Sequence, residues 1–340
     1  TFNYYDDTNA QTVNFFSSGG YRNLTINTTG GAGATLGAAV TATNVTGNLS
    51  VQSGALSNGG FAITLASARN FSVSNGATFN LTGTSTMVTV SGGGTKTFGA
   101  TSTVNFGGTA QTVSVESYGN LKLSGSGNKT FAGSTTIATS LDISGTAVAL
   151  LPNGSTSSVP TLSFNGIGQV SGSWGGTTSA ATNKSAARFG STTTGIINVS
   201  TTSCTTGEWL GNTSTDWFNA SNWCGGVPTA STDVTISSSA PNQPTINGAG
   251  AVCNNITIGS GATLTITGSN GLSVSGNWTN NGTFTPTAAR TVTLNGTTAQ
   301  TIGGTASTSF TRLTLNNTFA SIPSIILGAN TTATTLLTMT

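Results

Sequence analysis

The chain has 340 residues, 47 of them Gly, with nine basic and seven acidic side chains, a net charge of +2 and no His. Only 5% of residues are charged, against roughly 25% in an ordinary globular domain, and the basic residues are scattered singly. This excludes a basic stripe for nucleic acid, and no apolar run approaches the ~18 residues of a membrane span.

Low charge often accompanies disorder, but disordered chains are poor in β-branched and aromatic residues. Here Val, Ile, Thr and Phe are plentiful, and such side chains suit a pleated surface. The composition predicts an all-β protein with many tight turns, long enough for two domains. The chain begins at Thr1 without a Met or a signal peptide, which suggests a mature or excised piece.

From the N-terminus, "FNYY" at Phe2 precedes "AQTV" at Ala10 and "NLTI" at Asn23. The same order returns as "VNF" (Val104), "AQTV" (Ala110) and "NLKL" (Asn120), and again as "VTL" (Val292), "AQTI" (Ala299) and "RLTL" (Arg312). Between them run near-copies: "NLSVQSGAL" (Asn48), "NFSVSNGATFNLTG" (Asn70), "SLDISGTAVAL" (Ser140) and "NITIGSGATLTITG" (Asn255). Alternation of apolar and polar residues over three to five positions predicts short strands with one face inward. Helical spacing is absent, and Gly recurs too often for helices.

Near-copies about 20 residues apart set the scale of a solenoid, in which each coil stacks on the next. The predicted fold is a right-handed parallel β-solenoid. The alternative, tandem immunoglobulin-like sandwiches of about 100 residues, needs longer strands. In stacked coils, equivalent Asn, Ser and Thr side chains lie about 4.8 Å apart and can form hydrogen-bonded ladders. The N-x-S/T triplets at Asn23, Asn27, Asn44, Asn48, Asn80, Asn255 and Asn281 follow from composition rather than marking glycosylation.

The pattern breaks near residue 155. Residues 161–200 read as the terminal cap of a first unit spanning 1–200, with the cap at about 155–200; a bare solenoid end would expose a sheet edge. Residues 201–206 read as a linker. The second unit, 207–340, opens with "GEWLGNTSTDWFNASNWCGGVPTASTDVTI", a Trp- and Cys-rich cap over 207–250, and ends mid-pattern. Its aromatic density admits two readings: indoles covering the first coil, or a sugar-stacking platform built from Trp209, Trp217 or Trp223, with Trp278 further along.

"DWFNASNWCGGVPTASTDVTI", then "CNNITIGSGATLTI" and "SVSGNWTNNGTFT", resembles the large repetitive cell-surface proteins of Bacteroidetes. These are adhesins and gliding-adhesin-like proteins exported by the type IX secretion system. "AQT…YGNLKL…GNKTFAGSTTIATSLDI" (111–143) is similar to solenoid repeats of that group, and "FNGIGQVSGSWGG…GIINV" resembles a segment that closes such solenoids. The resemblance implies an extracellular, cell-surface location. The implied partners are secretion or anchoring machinery or further copies in a filament, with extracellular polysaccharide as another candidate. The sorting domain expected of type IX cargo does not appear in this sequence, which suggests a fragment of something longer.

Catalysis finds little to work with. Without His, the commonest general base is missing. The acids Asp6, Asp7, Glu116, Asp142, Glu208, Asp216 and Asp233 are scattered, and neighbours such as Asp6 and Asp7 face opposite ways along a strand. Lys122 and Asp142, one coil apart, read as a surface ion pair. No cofactor is expected, although Glu208, Asp216 and Asp233 around the cap offer hard oxygen ligands for Ca²⁺. Two function classes follow: a structural stalk or filament segment of a surface adhesin, or a polysaccharide-binding module using the cap tryptophans.

Three cysteines, Cys204, Cys224 and Cys253, are too few for a zinc site without His. At an oxidising surface, pairing is expected. Cys224 follows the Trp-rich cap and Cys253 opens the first regular coil, so a Cys224–Cys253 bridge would pin cap to coil. The resemblance supports that pairing, because the two cysteine contexts tend to occur together in the family. Cys204–Cys224, tying linker to cap, is the rival.

Overall fold

A computed structural model describes residues 1–5, 9–15, 20–28, 33–267, 271–287, 289–328 and 330–339. The chain is almost entirely β, about 2% helical, and winds through about 15 stacked turns of a parallel β-solenoid. It divides into two compact units, Thr1–Ser203 and Cys204–Thr340. No helix among the described residues is long and apolar enough to cross a membrane.

In the first unit, Phe2–Tyr4, Leu24–Asn27, Leu49–Ser53, Phe71–Val73 and Lys96–Phe98 pair side by side in one parallel sheet. A second sheet begins at Gln11–Val13 and climbs through Thr78–Leu81, Thr103–Phe106, Ser117–Leu123 and Thr136–Ile143; a third holds Gln111–Val113, Ser126–Phe131 and Thr146–Leu150. The parallel pairing rules out tandem sandwiches, whose strands run antiparallel. Register follows the apolar column. Phe79, Val104, Leu121, Leu141 and Leu162 occupy successive paired positions, and all are buried. A slip of one residue would turn the whole column to solvent.

Turns between faces are tight enough to demand Gly at particular places. Gly54 joins Leu49–Ser53 to Ala55–Ser57 with φ of +67°, and a Cβ there would lie 2.0 Å from the Thr28 hydroxyl of the coil below. Gly76 and Gly261, in the related "NGA" and "SGA" corners, share the positive φ without so close an approach, so there it is the backbone conformation that calls for Gly.

After Thr161–Phe164 the pairing becomes mixed, although Ile196–Val199 still adds in parallel to Thr156–Val159. Residues 164 and 167 turn back in an antiparallel pair, Gly172–Gly175 runs antiparallel to Ile196–Val199, and a single helical turn follows at Ala186–Phe189. Trp174 and Phe189 pack on Phe164, with ring centroids 5.3 and 6.1 Å away. Arg188 lies over the same Phe164 ring at 5.8 Å and donates to the Gly145 carbonyl at 2.8 Å. The expected linker is divided between the units. Thr201 and Ser203 donate main-chain bonds to Pro160 and Gln169 in the first, while Cys204 is tied into the second.

In the second unit the coils build three parallel sheets, two of five strands and one of three. One runs from Val234–Ile236 to Ile325–Leu327, a second from Thr245–Ile246 to Thr283–Pro286, a third from Ala251–Cys253 to Thr331–Met339. Ile256, Trp278 and Ile302 fill one inward column and are fully buried.

Candidate functional site

Main-chain hydrogen bonds between parallel strands hold coils together, and polar side chains add a second set of links. Asn23 Oδ1 accepts from the Asn48 amide of the next coil at 2.8 Å, Asn48 Oδ1 from Asn70 at 2.9 Å, and Asn70 Oδ1 from Thr95 at 2.9 Å. These partners stand 25, 22 and 25 residues apart. In the second unit Asp233, Asn255 and Asn277 do the same toward Asn255, Asn277 and Thr301. Three bonds from Asn254 and Asn255 hold the Asp233 carboxyl below the usual carboxylate range, the Asn255 main-chain bond first among them. The ladders expected from sequence thus exist, but chiefly as side-chain oxygen to main-chain N–H, one coil to the next.

The repeated "AQT" has a specific use that the sequence did not disclose. Gln111 and Gln300 are buried at the start of their strands. Gln111 Oε1 accepts from Gly108 N at 2.9 Å, and its Nε2 donates to the Leu81 and Ser85 carbonyls at 3.2 Å each. Gln300 repeats the arrangement, with Gly296 N at 2.8 Å and the Val274 and Gly276 carbonyls at 3.0 and 2.5 Å. Each amide closes its own corner and staples it to the coil before. The second oxygen lone pair goes to the following coil, to Lys129 Nζ at 2.8 Å or Asn317 Nδ2 at 2.8 Å. Lys129 is fully buried, and its three ammonium donors are met by Gly108 O, Thr109 O and Gln111 Oε1. Burial pulls its pKa down to about 8.

The cap is built around Asn222 and three indoles. Asn222 Oδ1 accepts from Thr213 and Ser214 amides, while its Nδ2 donates to Ser214 Oγ and the Asp216 carbonyl. That fixes the loop carrying Trp217 against the short 3₁₀ turn Ala220–Asn222. Trp223 packs edge-on between Trp209 and Trp217, at 4.8 and 4.7 Å between centroids. Its Nε1 donates to the Trp217 carbonyl at 2.7 Å, and Trp209 Nε1 to the Asn242 carbonyl at 2.6 Å. Trp278 lies three coils beyond Trp209, against Phe284 and Phe310.

Two sequence-based expectations are corrected here. Trp209, Trp217, Trp223 and Trp278 are each at most 2% exposed, so none offers a flat face to a sugar; the cap covers a coil. The disulfide joins Cys204 to Cys224, with Cα atoms 6.0 Å apart, rather than Cys224 to Cys253. Cys253 lies on the inward side of Ala251–Cys253, in register with Val274, fully buried and free. Burial, with the Asp233 charge adding to it, pushes its thiol far above the usual range. Cys224, by contrast, itself exchanges main-chain bonds with Gly207 and Glu208, its carbonyl accepting from Gly207 N and its N–H donating to the Glu208 carbonyl, which brings it beside Cys204.

The calcium candidates do not converge. Glu208 accepts from Thr205 N, Asp216 from Phe218 N, and Asp233 from Asn254 and Asn255, so each carboxylate closes its own turn or ladder. No three His, Cys, Asp or Glu side chains gather into a cation site among the described residues. Asp6 and Asp7 lie outside the described residues. Lys122 and Asp142 meet in register at 3.6 Å, and Lys96 pairs with Glu116.

This architecture defines the protein's class: a repeat protein of stacked parallel β-coils, whose second unit opens with a disulfide-bonded aromatic cap. Within that unit, residues 208–318 match the model of a family described as Domain of unknown function (DUF8693). The match runs from the cap through the coils that follow it, taking cap and coils together. No curated protein and no solved structure matches the chain.

Proposed function

We propose that this chain is a non-catalytic structural stalk or filament segment of a large secreted bacterial surface adhesin, giving reach and surface or cell contact. The observation that carries this reading is where the polar side chains go. Asn, Gln, Asp and Ser side chains are spent on bonds between coils in both units, which suits a load-bearing repeat more than a reaction centre. The Cys204–Cys224 bridge favours an oxidising location outside the cytoplasm. Its partners on this reading are export or anchoring machinery, or further copies of the chain, and the sequence resemblance to Bacteroidetes type IX cargo supports the same setting.

The test uses the natural protein on its host. Antibody and externally added protease should reach the segment on intact cells; recovery only as a free cytoplasmic monomer overturns the surface assignment. Turnover of a polysaccharide by the purified chain, lost on substituting Glu116 or Asp142, overturns the non-catalytic reading.

A further inference from the structure

With the tryptophans sealed, the first unit still carries an open groove of about 470 Å³ along the sheet from Phe2–Tyr4 to Lys96–Phe98. Every side chain lining it is Asn, Gln, Ser or Thr. Two parallel rows run along it. Thr25, Ser50, Ser72 and Thr97 occupy paired register positions, giving one hydroxyl per coil at a spacing of about 4.8 Å. Thr25 is buried and shares a hydrogen bond with Ser50 Oγ at 3.1 Å, so the row is open chiefly at Ser50, Ser72 and Thr97. Beside it, Asn23, Asn48 and Asn70 each commit Oδ1 to the next coil's amide, while their Nδ2 groups make no hydrogen bond among the described residues.

Those three amides are held in place by the ladder that orients them, so their donors are organised before any ligand arrives. Each Nδ2 carries two N–H donors, and each hydroxyl can both donate and accept. We infer that this groove binds an uncharged linear glycan laid along the solenoid axis, one sugar unit facing about one coil. An extended pyranoside chain has a repeat of similar length, with hydroxyl and ring oxygens to accept the amide donors. An anionic polymer would find no cationic side chain in the groove lining. A peptide seeking strand addition would need an open sheet edge, whereas the groove lies on a sheet face. Recognition here rests on hydrogen bonds repeated coil after coil, without aromatic stacking, so single contacts are weak and length of ligand matters. The inference goes beyond the stalk reading, which does not depend on it.

The experiment titrates the full chain by calorimetry with cellohexaose, xylohexaose and mannohexaose, using hexagalacturonate as the anionic comparator. At least one neutral hexasaccharide should bind with a Kd of about 1 mM or tighter, and Ser72→Arg, which lays a long side chain in the groove, should weaken it at least about tenfold. Thr97→Arg, further along the same row, serves as a second block should Ser72→Arg disturb folding. Thr265→Arg, on Thr263–Ile266 of the second unit, should leave the affinity unchanged. Absence of binding by all three neutral sugars overturns the proposal. So does affinity unchanged in folded Ser72→Arg or Thr97→Arg, or tighter binding of hexagalacturonate.

Discussion

At the residue scale, the buried amides carry the most consequence per side chain. Gln300 satisfies four partners from within the core, so truncating it strips the Gly296 amide and the Gly276 carbonyl of that bond in a dry corner, while the Val274 carbonyl keeps its bond from Asn295 N. Gln300→Ala is expected to cost about 2–4 kcal/mol, since each stranded buried group carries a penalty of roughly 1–3 kcal/mol. Asn48→Ala strips only one exposed rung and should cost about 1 kcal/mol; urea denaturation of the two variants gives the comparison. Lys129 makes a pH prediction. Its folded pKa of about 8 lies below the ordinary lysine value of about 10.4, so between these pH values the unfolded chain binds more protons. Stability should therefore rise as pH climbs through about 8 to 10.4, and lie on its lower plateau below 8. Lys129→Met should remove that slope in denaturation curves recorded at pH 7, 9 and 10.5.

At the scale of elements, the cap of the second unit is held by one covalent bond and a closed aromatic cluster. The bridge spans 20 residues, and the chain-entropy estimate for such a loop is about 3 kcal/mol. Cys204→Ser should therefore destabilise the second unit by up to that amount. Thiol counting separates the pairing seen here from its rival: the native protein should show no reactive thiol, and the denatured, unreduced protein one, mapping to Cys253. A peptide crosslink containing Cys253 would contradict the structure. Trp217→Ala, at a fully buried position, is expected to cost about 3–5 kcal/mol through the cavity it leaves.

At the scale of the whole molecule, a solenoid is stabilised mainly by each coil's contact with its neighbours, so cooperativity extends as far as the stack is continuous. The chain forms two compact units with separate cores. Calorimetry should therefore resolve two transitions, and a reductant should lower the one belonging to Cys204–Thr340 while leaving the other in place. A single transition that shifts as a whole under reductant would mean that the units melt together.

The sequence by itself determined whatever a short stretch can encode: the all-β class, the inward face of each strand, a coil of about 20 residues, and the corners where Gly is required. Period-2 alternation and turn chemistry are local, and stacking near-identical coils merely repeats them. It also showed where the regular period breaks, near residue 155 and again over 207–250, because a broken period is visible in the chain itself. Only the tertiary structure decided what depends on which residues meet across coils. Gln111 looked like one polar residue in a repeated "AQT", and its role appears only when carbonyls 26 and 30 residues earlier come within reach of its amide. The tryptophans were equally compatible with a sugar platform or a sealed lid, and Cys224 with either neighbour, because the direction a loop folds back is set by what it packs on. Asn222 and the inward register of Cys253 settled both: burial of the indoles and pairing with Cys204 follow from the cap closing over its coil, which no local pattern of residues specifies.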